Sequence, residues 1–484
     1  MRQRKTKWRS LGILAASAGV ALVPAMALAA PHAKASAAPE SILPESILPE
    51  AVATPAPAQT PAGAQSSGAQ PAGVQPTGTE VAGVEPAVPE LPLAEPVMEW
   101  PMADAQALLA AIEGIGAEGL IPEDYQPVAL RAALAAGEGE ALDKVASQSF
   151  AWLVEDLRDG RTPVEARVQW FALDPDRDTM PTAALMTMAL ASHDIAGILA
   201  GLAPTHPDYV ALKEEFQQTP ESDKPRRDLI RANMDRWRWL ARDMGKIYLY
   251  TNVPEFQARL IVKNRTIRSY RTIVGKPGHT ATPQLAETVQ AVVFNPTWTV
   301  PQSIVQGEGL GAKLLVSPSS AARQGYKVAK AADGTISVVQ QPGPRNALGL
   351  MKIDMPNPHA IYMHDTPSKA LFSTELRAYS HGCIRTERAV ELGMTMAILG
   401  AGMAPEEAAR ISNSGKYTRV TMNTTFPVYI AYFTMARDIA GNLSQFADIY
   451  GRDAPVIESF GKARLSKTTQ RVSDEPVIQL DNPL

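Results

Sequence analysis

Apolar side chains recur at three- and four-residue steps at Leu142, Val145, Phe150, Leu153 and Leu157, and again at Ile230, Met234, Trp237, Ala241 and Met244. That spacing is one face of an α-helix. Gly160 and Pro163 punctuate the first segment and Pro225 suits the first turn of the second, so residues 98–243 read as a helical domain. After Gly245 the period shortens. Lys246–Thr251, Phe256–Val262 and Thr266–Val274 read as strands, the last two joined by a hairpin turn at Lys263-Asn264-Arg265. Val289–Phe294, Ala360–His364, Tyr417–Met422 and Pro427–Thr434 continue in the same style, with one helix predicted from Thr386 to about Leu399. In Ala360–His364, alternation puts Ile361 and Met363 on one face and Tyr362 and His364 on the other. A stretch from about 302 to 341, rich in Gly, Ser and Lys, interrupts the β pattern as an inserted lid or subdomain. The expected class is therefore α+β: a helical domain at 98–243, a mostly β domain at 244–440 carrying that insertion, and a C-terminal extension at 441–484.

The first hundred residues follow neither period. Residues 1–9 hold five positive charges and no acid, and precede the apolar run Leu11–Val23 and the small-residue pattern Ala27-Leu28-Ala29. This is the three-part pattern of a Sec-type export signal, expected to end near residue 29. The apolar run is shorter than the roughly 20 residues of a spanning helix, although retention as an anchor is the competing reading. Residues 30–97 are mainly Ala, Pro, Gly, Gln and Glu, with Ser-Ile-Leu-Pro-Glu doubled at 41–50, and read as a disordered, extended tether. No later segment is apolar enough to span a bilayer, so the mature chain is expected outside the cytoplasm, in the periplasm. The net charge of −4 offers none of the basic excess of a nucleic-acid binder.

With one cysteine in 484 residues, Cys383, an internal disulfide framework is excluded. Its surroundings, Ser380-His381-Gly382-Cys383-Ile384-Arg385, are polar and basic, and His364 lies fifteen or so residues upstream. An imidazole, a guanidinium and the N-terminus of the helix expected at Thr386 would each favour thiolate. Gly382 permits a tight turn whose backbone N–H groups could face a developing oxyanion. A small buried hydrophobe and a zinc site made by His364, His381 and Cys383 are the alternatives, the latter matching no familiar ligand spacing.

Ser-His-Gly-Cys-hydrophobic-Arg with an upstream His resembles the catalytic motif of the L,D-transpeptidases of the YkuD type. The likeness to their YcbB-like branch extends to Asn233–Trp239, Ile273–Lys276, Phe294–Pro301, Gly343–Gly349, Phe426–Tyr429 and Asp448–Gly451, covering roughly residues 98–455. The resemblance implies a helical scaffold domain and a β-rich catalytic domain with a capping subdomain. It implies a cysteine acyltransferase in which Cys383 is the nucleophile and His364 the base and then acid. His381 and Gly382 would complete the catalytic set, and Ser380, Tyr362 and Arg385 would bind substrate. The family's imidazole is oriented by a backbone carbonyl, so Asp365 is not expected as a triad acid. Donor and acceptor would be peptidoglycan tetrapeptide stems, joined 3→3, with carbapenem-type β-lactams as inhibitors and no metal or organic cofactor. Water or a protein lysine as acceptor would give a carboxypeptidase or a protein-attaching enzyme, and a lapsed site would leave a wall-binding scaffold.

Overall fold

The computed structural model describes residues 96–475 apart from Glu308. The expected export signal and all but the last two residues of the expected tether lie outside the described residues. Order at the start of the described chain comes from Trp100, whose ring packs on Phe150 at 5.7 Å between centroids. Its indole N–H donates to Ser147 and its backbone N–H to Asp143. Eight helices follow: α1 (Met102–Gly114), α2 (Pro127–Ala136), α3 (Glu140–Asp159), α4 (Asp176–Thr179), α5 (Thr182–Ser192), α6 (Ile195–Ala200), α7 (Pro207–Gln218) and α8 (Lys224–Trp237). On α3 the buried stripe contains Leu142, Phe150, Leu153 and Leu157, as the helical spacing requires. Asp223 caps α8 by accepting from the Arg226 N–H, and Pro225 occupies its first turn, where a missing N–H costs nothing.

The β region is built on β1 (Ile247–Asn252), β2 (Gln257–Val262), β3 (Arg265–Gly275), β4 (Leu285–Phe294), β5 (Trp298–Thr299), β6 (Tyr326–Lys330), β7 (Ile336–Gln340), β8 (Met351–Asp354), β9 (Met363–His364), β10 (Ala378–Ser380), β11 (Ile384–Thr386) and β12 (Thr418–Ala431). Its main sheet runs β10-β3-β11-β9-β8-β4-β12-β1-β2, and β2 also pairs with β3, so eight strands close into a barrel. Closure leaves few free edges and a continuous core of Leu249, Val274, Val292, Ile353, Met363, Ile384 and Ile430. The β2–β3 hairpin turns through Lys263 and Asn264, both at positive φ, the geometry of a two-residue turn matched to strand twist.

The insertion is a folded unit: α9 (Gln302–Gly307), α10 (Leu310–Val316) and α11 (Pro318–Arg323) pack on the three-stranded sheet β5-β7-β6. Val300, Val305, Leu314, Ala321 and Val338 give it a core of its own. Gly311 is small for packing: a Cβ there would come within 2.7 Å of Val305.

Three elements differ from expectation. The two strands expected between 417 and 434 are one, β12 (Thr418–Ala431), because a register shift between Thr421 and Phe426 absorbs the polar interruption and the pairing with β1 begins only at Val428, just after Pro427. Ala360 takes φ of +52°, so the strand before His364 shortens to Met363–His364. The helix expected at Thr386 starts at Ala389 as α12 (Ala389–Ala401), because Arg385 and Thr386 are held in β11 by β3, and Arg385 also by β9. It is followed by α13 (Pro405–Ser412).

Beyond β12 the chain adds the β13 (Met435–Arg437) and β14 (Leu443–Gln445) hairpin and α14 (Asp453–Phe460), which packs on α8. The last described residues then cross the helical region. The Arg464 side chain, 3 % exposed, pairs with Glu155 at 2.7 Å and Asp156 at 3.0 Å, and the Ser473 N–H donates to the Trp170 carbonyl. Truncating Arg464 leaves two buried carboxylates short of a cation, a loss of about 3–5 kcal/mol for a pair of this kind. Arg464→Ala is therefore expected to lower the thermal midpoint by several degrees in a circular-dichroism melt. An unchanged midpoint would show that the C-terminal segment adds nothing to the fold.

Candidate active site

The site is assembled by two short parallel strands. In the β9–β11 pair Ile384 lies opposite Met363 and Arg385 opposite His364. Ile384 and Met363 are wholly buried in the barrel core. Because strand side chains alternate, Tyr362, His364, Cys383 and Arg385 share the other face. On the far side of β9, β8 places Lys352 opposite His364.

Cys383 is 8 % exposed, with Sγ 3.7 Å from the Ala360 carbonyl. Burial pushes its thiol above the ordinary value near 9, against opposing pulls from Tyr362, Lys352 and Arg385. Tyr362 lies beside the thiol, and burial, followed by the proximity of Cys383, drives its phenol well above its usual range. His364 is buried and its Nδ1 lies 2.5 Å from the Asp365 carbonyl. Donation from Nδ1–H to that carbonyl leaves Nε2 as the ring's proton acceptor. Burial and then the Arg385 cation push the His364 pKa down to about 3, so at neutral pH the imidazole is uncharged. The resting pair is a neutral thiol and a neutral imidazole.

The orienting carbonyl is itself fixed. The Asp365 carboxylate accepts from the Leu350 N–H at 2.9 Å and pairs with Lys369, while the Asp365 N–H donates to the Met351 carbonyl. Gly349 makes room for it: its φ is +61° and a Cβ there would fall 2.4 Å from the Asp365 side chain. Asp365 thus acts on His364 through its backbone, as the family resemblance implies.

The turn carrying the thiol is tied from both sides. Gly382 sits at φ of +111°, a conformation L side chains rarely adopt. The Ser380 hydroxyl is buried and donates to the Cys383 carbonyl at 2.6 Å, and it accepts the Gly382 N–H at 3.3 Å. Ser380 is thereby committed to the turn, and the Gly382 N–H, expected as an oxyanion donor, is engaged within it. Thr282 donates to the Gly382 carbonyl at 2.8 Å while accepting the Gly275 N–H at 2.9 Å. Tyr450 donates to the Gly275 carbonyl and accepts from the Thr282 N–H. Arg452 joins the Thr282 carbonyl to Gln169 of the helical region. His381 is exposed on the same turn. Three residues of β11 and two more of loop separate Cys383 from α12, so the helix N-terminus expected to favour thiolate does not begin at the thiol.

Beside these groups lies a cleft of about 370 Å³, lined by Lys352 and Tyr362 on the barrel, Trp298 and Thr299 of β5, and Tyr417 and Arg419. Lys352 and Thr282 were absent from the sequence-derived site. The signal for Lys352 was the alternation Met351-Lys352-Ile353-Asp354, a strand whose polar face includes the lysine. Among the described residues no group of three or more His, Cys, Asp or Glu is arranged to hold a metal ion.

The described structure is therefore a closed barrel presenting a cysteine, an oriented histidine and a tyrosine on one face, joined to a helical domain. Residues 246–394 match the YkuD L,D-transpeptidase catalytic domain and residues 99–216 the scaffold domain. Residues 246–394 thus carry a YkuD-type L,D-transpeptidase catalytic domain. Over 223 residues it is 27 % identical to a Haemophilus influenzae protein assigned as an L,D-transpeptidase, a match covering 43 % of this chain and 45 % of that protein. The chain thus spans under half the length of this curated relative. Among solved structures it is similar to an L,D-transpeptidase from Mycobacterium smegmatis, at 15 % identity and TM-score 0.19 over 38 % of this chain and 58 % of that one. It is likewise similar to L,D-transpeptidase 3 from Mycobacterium tuberculosis in complex with a faropenem-derived adduct, at 14 % identity and TM-score 0.20, covering 38 % and 60 %. Superpositions this partial bear on neither the site nor its chemistry.

A raised thiol pKa has a direct kinetic signature, since only thiolate alkylates. The rate of Cys383 modification by iodoacetamide is expected to keep rising with pH through 9. A plateau reached below pH 7 would instead show a resting thiolate–imidazolium pair.

Proposed function

We propose that the protein is a peptidoglycan L,D-transpeptidase that forms 3→3 crosslinks between stem peptides through a thioester on Cys383. The observation that carries this reading is the orientation of His364, whose Nδ1 is committed to the Asp365 carbonyl on the face that bears Cys383. A tetrapeptide donor enters the cleft beside Tyr362, and His364 Nε2 takes the Cys383 proton as sulfur attacks the carbonyl of the third residue. The Tyr362 hydroxyl donates to the oxygen on which charge develops. Collapse breaks the amide to the terminal D-alanine, whose leaving amine takes the proton back from His364, and the stem stays on sulfur as a thioester. The diamino-acid amine of a second stem then attacks that carbonyl, passing its proton through His364 to the departing thiolate. One amide has been exchanged for another and the thiol is regenerated.

His381, on the exposed turn, and Arg385 contact the donor peptide, while Gly382 gives the turn its shape and Ser380 holds it. A neutral imidazole at neutral pH suits the base role, because it is ready to accept a proton. Among the described residues no helix is long and apolar enough to cross a membrane. The enzyme acts in the periplasm at the cell wall, delivered by the export signal at residues 1–29, and carbapenem-type β-lactams inhibit it by acylating Cys383.

Cys383→Ala is expected to abolish crosslinking with the fold intact, and His364→Ala to slow acylation by about 10²–10⁴-fold, the usual loss of a positioned acid–base. Acylation by a carbapenem, followed by intact-protein mass spectrometry, and crosslinks from purified tetrapeptide stems read the two effects. Crosslinks from Cys383→Ala at even a few per cent of the wild-type rate would overturn the assignment, and unchanged acylation in His364→Ala would move the base role to His381.

A further inference from the structure

Lys352 is held on the outer face of β8 by the burial of its neighbours Met351 and Ile353 in the barrel core. Its ammonium sits 4.3 Å from the centre of the Tyr362 ring, the tyrosine on the face that bears Cys383. The carboxylate on its own strand, Asp354, is engaged by Arg419 at 2.7 Å. Among the described residues no carboxylate lies within ion-pair distance of Lys352, and the same holds for Arg385 two residues after the thiol. An aromatic face holds a cation without neutralising it, so the ammonium's N–H donors remain for a ligand. Burial lowers the pKa of both side chains, a cost that an anion in the cleft would offset.

Lys352 lines the cleft together with Trp298, Thr299 and Tyr362, and its charge is felt at Cys383, so a ligand that meets the lysine lies near the thiol. Arg385 and Lys352 flank His364 on neighbouring strands, β11 and β8. We infer that Lys352, assisted by Arg385, forms a carboxylate-receiving subsite, and that it makes the enzyme select peptides carrying a free carboxylate close to the bond attacked by Cys383. The inference rests on the L,D-transpeptidase reading and deepens it. In a tetrapeptide stem the carboxylate comes from one of two sources, the C-terminal residue or the side chain of the diamino acid.

The test uses the mature protein and three synthetic tetrapeptides: the parent, one amidated at its C-terminus, and one amidated at the diamino-acid carboxylate. With wild-type enzyme one of the two amides is expected to lose about tenfold or more in kcat/KM, mainly through KM, as for loss of a charge-assisted hydrogen bond. The amide that loses identifies the carboxylate. Lys352→Met should bring the parent down to the level of that amide and erase the difference between them, and Lys352→Arg should restore part of it. Discrimination retained in Lys352→Met, no penalty for either amide in the wild type, or a fall in kcat with KM unchanged would overturn the subsite, the last assigning Lys352 to the thiol itself. A circular-dichroism melt confirms that each variant is folded. Peptide binding is read separately as protection of Cys383 from iodoacetamide, which needs no turnover. Carboxylate-dependent protection without turnover would sink the transpeptidase reading and keep the subsite; turnover without carboxylate dependence would do the reverse.

Discussion

The parallel pairing of β9 with β11 is the constraint on which the site depends. Only a few residues are paired, yet the register decides every functional neighbour, because a one-residue slip in a strand moves its whole set of side chains to the other face. Burial of Met363 and Ile384 in the barrel core penalises any such slip, and it therefore also holds Tyr362, His364, Cys383 and Arg385 together outside the core. The chemistry inherits its geometry from packing. The thiol is uncharged at rest and the imidazole is uncharged for the same reason, burial, so the two form no resting ion pair.

That pairing is braced from outside the catalytic region. Thr282 bridges Gly275 and Gly382, Tyr450 and Arg452 hold the loop containing Thr282, and Arg452 reaches Gln169 in the helical region. On α8, Arg236 pairs with Asp453 at 2.6 Å and donates to the Arg452 carbonyl, and Asp235 accepts from the backbone N–H groups of Arg161 and Thr162. Buried ions of this kind are costly to leave unpaired and so fix the relative placement of the segments that carry them. The helical scaffold and the chain after β12 are thus part of what holds the thiol-bearing turn.

Much of this was legible in the sequence. The helical stripe of α3, the two-residue turn at Lys263-Asn264 and the facing of Tyr362 with His364 follow from local periodicity and turn chemistry. Local rules failed where distant pairing decides the outcome. Thr386 reads as a helix start but is claimed by β3, more than a hundred residues earlier, and β12 reads as two strands because a bulge interrupts its polar pattern without breaking its pairing with β4. The contacts of Arg464 with Glu155 and Asp156 join residues about 300 positions apart, a separation no periodicity reports. Lys352 was hidden for a different reason: a lysine in a short alternating strand is ordinary until the neighbouring strands place His364 and Tyr362 beside it.

The central claim is that Cys383 carries the peptide as a thioester. Incubating the protein with a tetrapeptide stem in the absence of acceptor, quenching in acid and measuring the intact mass tests it most directly. The account predicts a mass increase equal to the stem without its terminal D-alanine, released by hydroxylamine and mapped by peptide sequencing to Cys383. Release of D-alanine with no such adduct, or an adduct on any other residue, would contradict it.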